Sequence, residues 1–251
     1  MNYPKKIDIA LEKLKETTST NDYLAHLCRE SKAKEFYTVM AESQTKGKGQ
    51  RGNSWESEAG KNLTFSTVLY PTALEARKQF CLSMLAALAC HEANYTDGFS
   101  IKWPNDIYWK DKKIGGILIE NELEGKYITQ CIIGIGLNIN QEEFFSDAPN
   151  PVSLKKILGT DVNIQEVLMK VVQGIIGGYR QLEGNFETTQ QAIGTLYRKY
   201  LYRRKGMFPY RDAQGDFQAE YQEVEPDGHL ILKDEQGTLR RYAFKEVSFV
   251  L

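Results

Sequence analysis

Hydrophobic and polar positions alternate or recur at helical spacing along most of the chain, and they predict a mixture of strands and helices. Strands are predicted over 36–40, 63–70, 99–103, 113–120 and 127–133, and the last two are continuous apolar runs typical of central strands. Helices are predicted from Asn21 onwards and over 79–93, 163–186 and 188–202. The helix over 79–93 carries closely spaced alanines, which indicates tight packing against a sheet.

The pattern changes after Gly206. Short apolar segments are separated there by turn signals at 212–215, 226–228 and 234–237, which is typical of a small β-barrel. Residues 247–251 are expected to form its last strand rather than an interface. We therefore predict an α+β protein, with a mixed sheet flanked by helices over residues 1–200 and a small β-barrel over residues 201–251.

The composition and charge of the chain argue against several classes of protein. No apolar run approaches the roughly 18 residues that a membrane span needs, so no membrane partner is expected. The chain has 32 lysines and arginines against 33 acidic residues, which gives no global positive field to favour DNA. The N-terminal segment lacks the apolar core of a signal peptide, so a cytoplasmic location is expected. The 4 cysteines and 3 histidines have no ligand-like spacing, so no metal site built from protein side chains alone is expected.

The most distinctive local feature is a glycine-rich loop over 44–55, with the sequence QTKGKGQRGNSW. Its glycines let backbone N–H groups approach an anion closely, and Lys46, Lys48 and Arg51 add positive charge, a combination that suits a phosphate. It matches neither of the common nucleotide-loop patterns. On composition alone, a solvated linker is an equally good interpretation.

A second cluster joins KWPND at 102–106 to KKIGGI at 112–117. Proline fixes the backbone after Trp103, so Asn105 and Asp106 are expected at a turn where side chains converge. Lys113 begins an apolar strand, and the following glycine pair leaves room for a ligand. The alternative is a plain hairpin whose lysines protect a sheet edge.

A third segment, GIGLNIN at 134–140, places Asn138 where a buried polar side chain needs a partner, either a neighbouring backbone group or a ligand. Alone it is a weak signal. No Ser/His/Asp arrangement or isolated pair of carboxylates is evident, so the remaining candidate chemistry is charge neutralisation around phosphates.

Taken together, STN at 19–21, the loop at 44–55, KWPND, KIGGIL at 113–118 and GIGLNIN resemble the biotin protein ligase family in order and spacing. The resemblance covers essentially the whole chain. It implies a class II synthetase-like catalytic domain that binds biotin and ATP, followed by an SH3-like β-barrel. It also implies ATP-dependent biotinylation of a lysine on a biotin carboxyl carrier protein or a biotin-dependent carboxylase subunit, through biotinyl-5′-AMP, with Mg²⁺ carried by the ATP phosphates and homodimers common in the family.

The resemblance also assigns candidate roles. Catalytic roles fall to Lys113, Arg51 and Asp106. Biotin contacts fall to Ser19, Thr20, Asn21, Gln44, Gly47, Lys48, Arg51, Lys113 and Gly116. ATP contacts fall to Lys48, Gln50, Arg51, Trp55, Lys102, Asn105 and Asn138, and Trp55 is expected to stack near the adenine.

The glycine loop departs from the family pattern at one place. Many members carry Arg-Gly-Arg where this chain has Lys48-Gly49-Gln50, so Lys48, Gln50 and Arg51 all remain candidates for contacting the acyl phosphate, and we favour Arg51. No helix-turn-helix segment precedes the ligase motifs, so no repressor function is expected. The rival hypotheses are a lipoate or octanoate protein ligase, whose own glycine-rich motif is missing here, and a non-catalytic nucleotide- or RNA-binding module.

Overall fold

The structure is a computed structural model that describes residues 9–93, 96–145 and 150–250, except for the side chain of Arg51. Its larger sheet has seven strands in the order β1-β2-β3-β7-β6-β5-β4. These strands are β1 (Leu11–Thr17), β2 (Thr38–Gln44), β3 (Leu63–Leu69), β4 (Phe99–Lys102), β5 (Asp106–Trp109), β6 (Lys112–Glu124) and β7 (Tyr127–Leu137). Only β1 and β2 pair in parallel, so the sheet is mixed, as predicted.

One face of this sheet is covered by three helices, α2 (Phe80–Glu92), α4 (Ile164–Gly184) and α5 (Phe186–Lys199). The contact between α2 and α4 is close because glycine leaves room: a Cβ added at Gly178 would lie 2.3 Å from Cδ1 of Leu85. Two further helices are α1 (Thr20–Arg29) and the short α3 (Leu154–Leu158). Helix α1 packs on the opposite face, where Leu24 joins Val39, Val68 and Ile132 in a separate apolar cluster.

Most of the predicted elements are present with shifted ends, and three were not predicted. Strand β1 carries lysines and glutamates at the sheet edge, and β5 is only four residues long, so neither produces a clear alternating pattern. Helix α3 is likewise too short for a periodic signal. Asn185 separates α4 from α5 because its side chain accepts a hydrogen bond from the Thr188 N–H and caps the second helix.

The chain then forms a five-stranded antiparallel sheet in the order β11-β10-β9-β8-β12. Its strands are β8 (Met207–Asp212), β9 (Gly215–Val224), β10 (Leu230–Asp234), β11 (Leu239–Tyr242) and β12 (Ser248–Phe249). The turns fall at the predicted places, whereas the predicted domain boundary after residue 200 stays a prediction. Trp103 joins the two sheets, since its Nε1–H donates to the Gly228 carbonyl at 2.9 Å. Within the described part of the chain, none of the helices combines the length and the apolar character needed to cross a bilayer.

Candidate functional site

The open face of the larger sheet carries a row of residues that lie opposite one another on four adjacent strands. Thr64 of β3 pairs with Gly136 of β7, Gly136 pairs with Gly116 of β6, and Gly116 pairs with Asp106 of β5. Adjacent strands lie about 4.8 Å apart, so the row extends for roughly 14 Å across the sheet. Because its two central positions are glycines, the row forms a low floor on which an elongated ligand can lie.

A cavity of about 1020 Å³ lies over this floor and collects most of the predicted site residues. The predicted residues that line it are Ser19, Thr20, Asn21, Gln44, Lys48, Gln50, Trp55, Lys102, Asn105, Asp106, Lys113 and Gly116. Gly47 lines an adjoining cavity of about 510 Å³. The side chain of Arg51 lies outside the described part of the structure. Asn138 lines neither cavity, because its amide donates to the Val152 carbonyl at 3.2 Å.

One end of the cavity is neutral and rich in hydrogen-bonding groups. The backbone N–H and the hydroxyl of Thr20 both contact Oε1 of Gln44, at 2.8 and 3.1 Å. The Ser66 hydroxyl lies 2.7 Å from the Thr20 hydroxyl and 2.6 Å from Oδ1 of Asn21. The Asn21 amide in turn donates to the Glu120 carboxylate at 2.6 Å. Neither Ser66 nor Glu120 was predicted, since each lies inside a strand without a motif of its own.

The glycine loop folds back on itself as a tight hairpin beside this end. The Trp55 N–H donates to the Gly47 carbonyl at 2.9 Å, and the Gly49 N–H donates to the Asn53 carbonyl at 2.6 Å. Lys48 forms an ion pair with Asp22 at 2.5 Å, and this hydrogen bond raises the pKa of Lys48. The loop is therefore attached to the first turn of α1.

Trp55 turns its ring onto the glycine floor. A Cβ added at Gly136 would lie 2.4 Å from the Trp55 ring, so only glycine accommodates this packing. Two buried polar atoms of the loop, Nε1 of Trp55 and Oε1 of Gln50, have no hydrogen-bond partner among the described residues. Buried polar atoms are normally satisfied, so these two are available to a ligand.

Lys113 and Asp106 form the centre of the opposite, charged end. Nζ of Lys113 lies 2.8 Å from Oδ1 of Asp106, and both side chains are 23% exposed, so the pair remains accessible. A bulge makes this meeting possible: Ile107 pairs with Gly115 but Tyr108 pairs with Lys113, so Ile114 is skipped in the pairing. A bulge redirects the side chains on either side of it, which brings Lys113 to the face that carries Asp106.

Lys102 lies next to this pair in an aromatic environment. Its Nζ lies 5.1 Å from the ring centre of Tyr108 and 5.1 Å from that of Phe249. Burial lowers the pKa of Lys102, while the charge of Asp106 acts in the opposite direction. The hydroxyl of Tyr108 is buried and has no partner within the described ranges. The site thus holds a second, partly desolvated cation beside Lys113.

The C-terminal sheet also contributes to the cavity, which the sequence did not predict. Its lining residues are Phe244, Lys245, Val247, Ser248 and Phe249. The final strand had been expected to complete the barrel, and β12 does pair with β8. The side chains of β12 nevertheless line the cavity over the open face of the larger sheet.

Among the described residues, one group of side chains could together bind a metal ion. It consists of Glu225, Asp227 and His229. Arg241 lies among them, with hydrogen bonds of 2.7 Å to Glu225 and 2.9 Å to Asp227. Its guanidinium therefore already supplies the positive charge, and the cluster lies outside the cavity.

Comparison with known proteins identifies relatives of this chain in sequence and in structure. Residues 14–138 match the Biotin/lipoate A/B protein ligase family. A solved structure of biotin protein ligase from Aquifex aeolicus in complex with biotin and ATP is similar, with a TM-score of 0.77 at 27% identity over 95% of this chain and 97% of that chain. The bifunctional ligase/repressor BirA of Bacillus spizizenii is 29% identical over 234 residues, which are 91% of this chain and 71% of that protein. The biotin acetyl-CoA-carboxylase ligase of Paracoccus denitrificans is 34% identical over 141 residues, 52% of this chain and 57% of that protein.

Proposed function

The chain belongs to the biotin/lipoate A/B protein ligase family, and we propose how its cavity carries out the reaction of a biotin protein ligase, the ATP-dependent biotinylation of a protein. The proposal rests on one observation: the two ends of a single continuous cavity differ in charge. Neutral donors and acceptors lie at the β2 and β3 end, and the Lys113 and Lys102 cations lie at the β5 and β4 end. A molecule with a neutral polar head and an anionic tail fits this arrangement.

Biotin has that form. Its cyclic urea needs hydrogen-bond partners in an otherwise apolar pocket, and Ser19, Thr20, Asn21 and Gln44 supply them. We propose that the urea lies among these residues and that the valeryl chain runs from there past the Trp55 ring, which packs on Gly136, to Gly116. The carboxylate then reaches Lys113 at the charged end.

ATP occupies the remainder of the cavity in this proposal. Trp55 borders the adenine, and its unpartnered Nε1–H is available to a ligand acceptor. The cations Lys48, Lys102 and Arg51 are assigned to the phosphates, with Gln50 and Asn105 as hydrogen-bonding groups. Asp106 is the one acidic side chain among the described residues that line the cavity, and it is paired with Lys113. This fits Mg²⁺ that enters on the ATP phosphates, because Mg²⁺ commonly uses few protein ligands.

The first step joins two anions. An oxygen of the biotin carboxylate attacks the α-phosphorus of ATP, the bond to the β-phosphate oxygen breaks, and pyrophosphate leaves. Lys113 offsets the repulsion between the reactants and stabilises the charge that develops at phosphorus, which is the kind of preorganised electrostatic support that removes several kcal/mol from a barrier, about 3 kcal/mol per group. Asp106 holds the Lys113 ammonium in place for this role.

In the second step, the amine of a carrier lysine attacks the acyl carbon of biotinyl-AMP, and AMP leaves with the bonding electrons. Asp106 orients this amine and accepts its proton. We propose that the loop over 44–60 orders over the intermediate and excludes water. We also propose that the partner is a biotin carboxyl carrier domain and that the protein works in the cytoplasm.

Pyrophosphate exchange into ATP tests the proposal. Purified protein with Mg²⁺ is assayed with biotin, lipoate, octanoate or no acid, and exchange is expected with biotin alone. Exchange that depends on lipoate would favour the other branch of the family, and no exchange with any acid would favour a nucleotide-binding module. Transfer is then followed as a mass increase on one lysine of a carrier domain.

A further inference from the structure

The last strand of the C-terminal sheet reaches the charged end of the cavity with few backbone contacts of its own. Strand β12 has two residues, and its register with β8 places Phe249 opposite Tyr210. The next pair in this register is Val250 and Pro209, and the Val250 N–H donates to the Pro209 carbonyl at 3.2 Å. Two residues paired in this way normally exchange two hydrogen bonds. Proline has no N–H, so β8 cannot return the second bond, and the Val250 carbonyl needs another donor.

The side chain of Arg203 supplies that donor. Its Nη2–H donates to the Val250 carbonyl at 2.8 Å, and its Nη1–H donates to the Pro209 carbonyl at 3.1 Å. A guanidinium suits this position because it holds several N–H donors in one rigid plane, whereas a lysine ammonium does not. One side chain therefore joins the two strands at the point where the backbone pairing is incomplete.

The backbone of Arg203 directly follows a segment that belongs to the larger sheet. The Ile101 N–H donates to the Tyr200 carbonyl at 2.8 Å, and the Tyr202 N–H donates to the Ile101 carbonyl at 2.9 Å, so residues 200–202 run alongside β4. Arg203 itself has a φ of 55°, in the left-handed region that residues other than glycine seldom adopt. A long side chain at such a position indicates a role that glycine could not fill.

We propose that Arg203 is a positioning residue that completes the pairing of β12 and thereby holds Phe249 against Lys102. This inference rests on the proposed function, because Lys102 is assigned there to the ATP phosphates. The ring centre of Phe249 lies 5.1 Å from the Lys102 ammonium, and Phe249 directly precedes the Val250 carbonyl that Arg203 binds. Without this donor the short strand separates more readily from β8, and the ring moves away from Lys102 with it.

Replacing Arg203 by glycine tests the proposal, because glycine suits the left-handed backbone and removes the guanidinium. The KM for ATP is expected to rise about fivefold, the effect of losing one aromatic contact to a partly desolvated cation, while kcat and the KM for biotin stay within about twofold. Lys110→Gly is the matched control. Lys110 is also a basic residue with a positive φ, of 52°, its ammonium lies 4.4 Å from the ring centre of Trp109, and it does not line the cavity.

Two further variants separate the hydrogen bonds from the charge. Arg203→Lys keeps the charge but cannot donate to both carbonyls in the same directions, so the KM for ATP should stay raised. Pro209→Ala restores a backbone N–H opposite Val250, so in the Arg203→Gly background it should bring the KM most of the way back to the wild-type value. A general loss of packing would not be repaired by one backbone donor.

Hydrogen exchange followed by NMR measures the strand without relying on the reaction. The Val250 amide is expected to exchange about tenfold faster in Arg203→Gly than in the wild type, because the pairing that protects it has lost a hydrogen bond from a charged donor. Adding Pro209→Ala should slow this exchange again. Adding Phe249→Leu to Arg203→Gly should raise the KM for ATP little further, because both substitutions act on the same contact.

The outcomes also distinguish this inference from the proposed function. A wild-type protein without biotin-dependent pyrophosphate exchange would overturn the function, and with it the role of Arg203 in ATP binding, even if the hydrogen-exchange result held. An unchanged KM for ATP or an unchanged exchange rate of the Val250 amide in Arg203→Gly would overturn the role of Arg203 alone. The same conclusion would follow if Arg203→Lys had the wild-type KM, if Pro209→Ala gave no rescue, or if Lys110→Gly had the same effect.

Discussion

Replacing Phe249 by leucine tests whether the C-terminal sheet acts on the reaction through Lys102. Phe249 lies in β12, and its ring is one of two whose centres lie 5.1 Å from the Lys102 ammonium, the other being Tyr108. Leucine keeps an apolar side chain in the final strand and removes the aromatic face. The strand pairing with β8 is a backbone feature, so it should persist.

The expected loss follows from the strength of the contact. A cation over an aromatic ring contributes about 0.5–1 kcal/mol when exposed and about 2 kcal/mol when desolvated. Lys102 is partly buried and keeps the Tyr108 ring, so the loss of one ring should cost about 1 kcal/mol. This corresponds to roughly a fivefold decrease in kcat/KM for ATP.

The pH dependence gives a more specific signature. Burial lowers the pKa of Lys102, so its ammonium form is lost at a lower pH than that of an exposed lysine. If this ammonium binds phosphate, kcat/KM for ATP falls as the pH rises through that lowered pKa. Removing the Phe249 ring takes a stabilising contact away from the ammonium form while leucine keeps the surroundings apolar, so the pKa of Lys102 should fall further. The alkaline limb should therefore move to lower pH in the variant.

The assay is biotin-dependent exchange at varied ATP concentration between neutral and alkaline pH. Phe217→Leu is the control, because Phe217 lies in the same sheet with Arg240 4.3 Å from its ring centre and does not line the cavity. Thermal unfolding of both variants measures any loss of packing. An alkaline limb that does not move, or an equal effect of Phe217→Leu, would refute the link between Phe249 and Lys102.

Three further predictions concern the larger sheet and the glycine loop. Lys113→Ala should lower exchange by about a hundredfold or more, since it removes a cation where charge develops, and a wild-type rate would exclude that role. Gly136→Ala should raise the KM for ATP, because the added Cβ would lie 2.4 Å from the Trp55 ring, whereas Gly184→Ala, whose Cβ meets no atom within 4 Å, should leave it unchanged. Protease cleavage within 44–60 should slow when biotin and ATP are added together, and unchanged cleavage would argue against an ordering loop.

The pattern of the sequence predicted the elements that bury apolar surface. Strands β3, β6 and β7 and helix α2 form the centre of the core, where continuous apolar runs and small residues leave little ambiguity. The pattern missed β1 and β5, because an edge strand is polar on its exposed sides and a four-residue strand is shorter than any reliable period. Both missing strands become evident only through their pairing with β2 and β6.

The candidate site was predicted best where several unusual residues adjoin in sequence. The glycine loop and the KWPND segment both reach the cavity, although their composition alone was equally compatible with a solvated linker and a plain hairpin. Asn138 does not, because a neighbouring carbonyl, that of Val152, satisfies its amide. The sequence did not single out Ser66, Glu120 and Phe249, since each is an ordinary residue for a strand. They come next to the predicted site residues only through strand order or through the docking of the second sheet.

The glycines of the two central strands explain why the sequence pattern is least typical of a strand where the site lies. Glycine in a strand interior is unfavourable by about 0.5–1 kcal/mol relative to alanine and packs poorly, yet Gly116, Gly134 and Gly136 all lie on one face of β6 and β7. A Cβ at Gly134 would meet Asn21, and one at Gly136 would meet Trp55. The glycines therefore let two site residues, Asn21 of α1 and Trp55 of the glycine loop, approach the sheet closely. Glycine is unfavourable for the strands themselves, but it leaves space above the sheet for a ligand. The positions least typical of a strand therefore form the floor of the site.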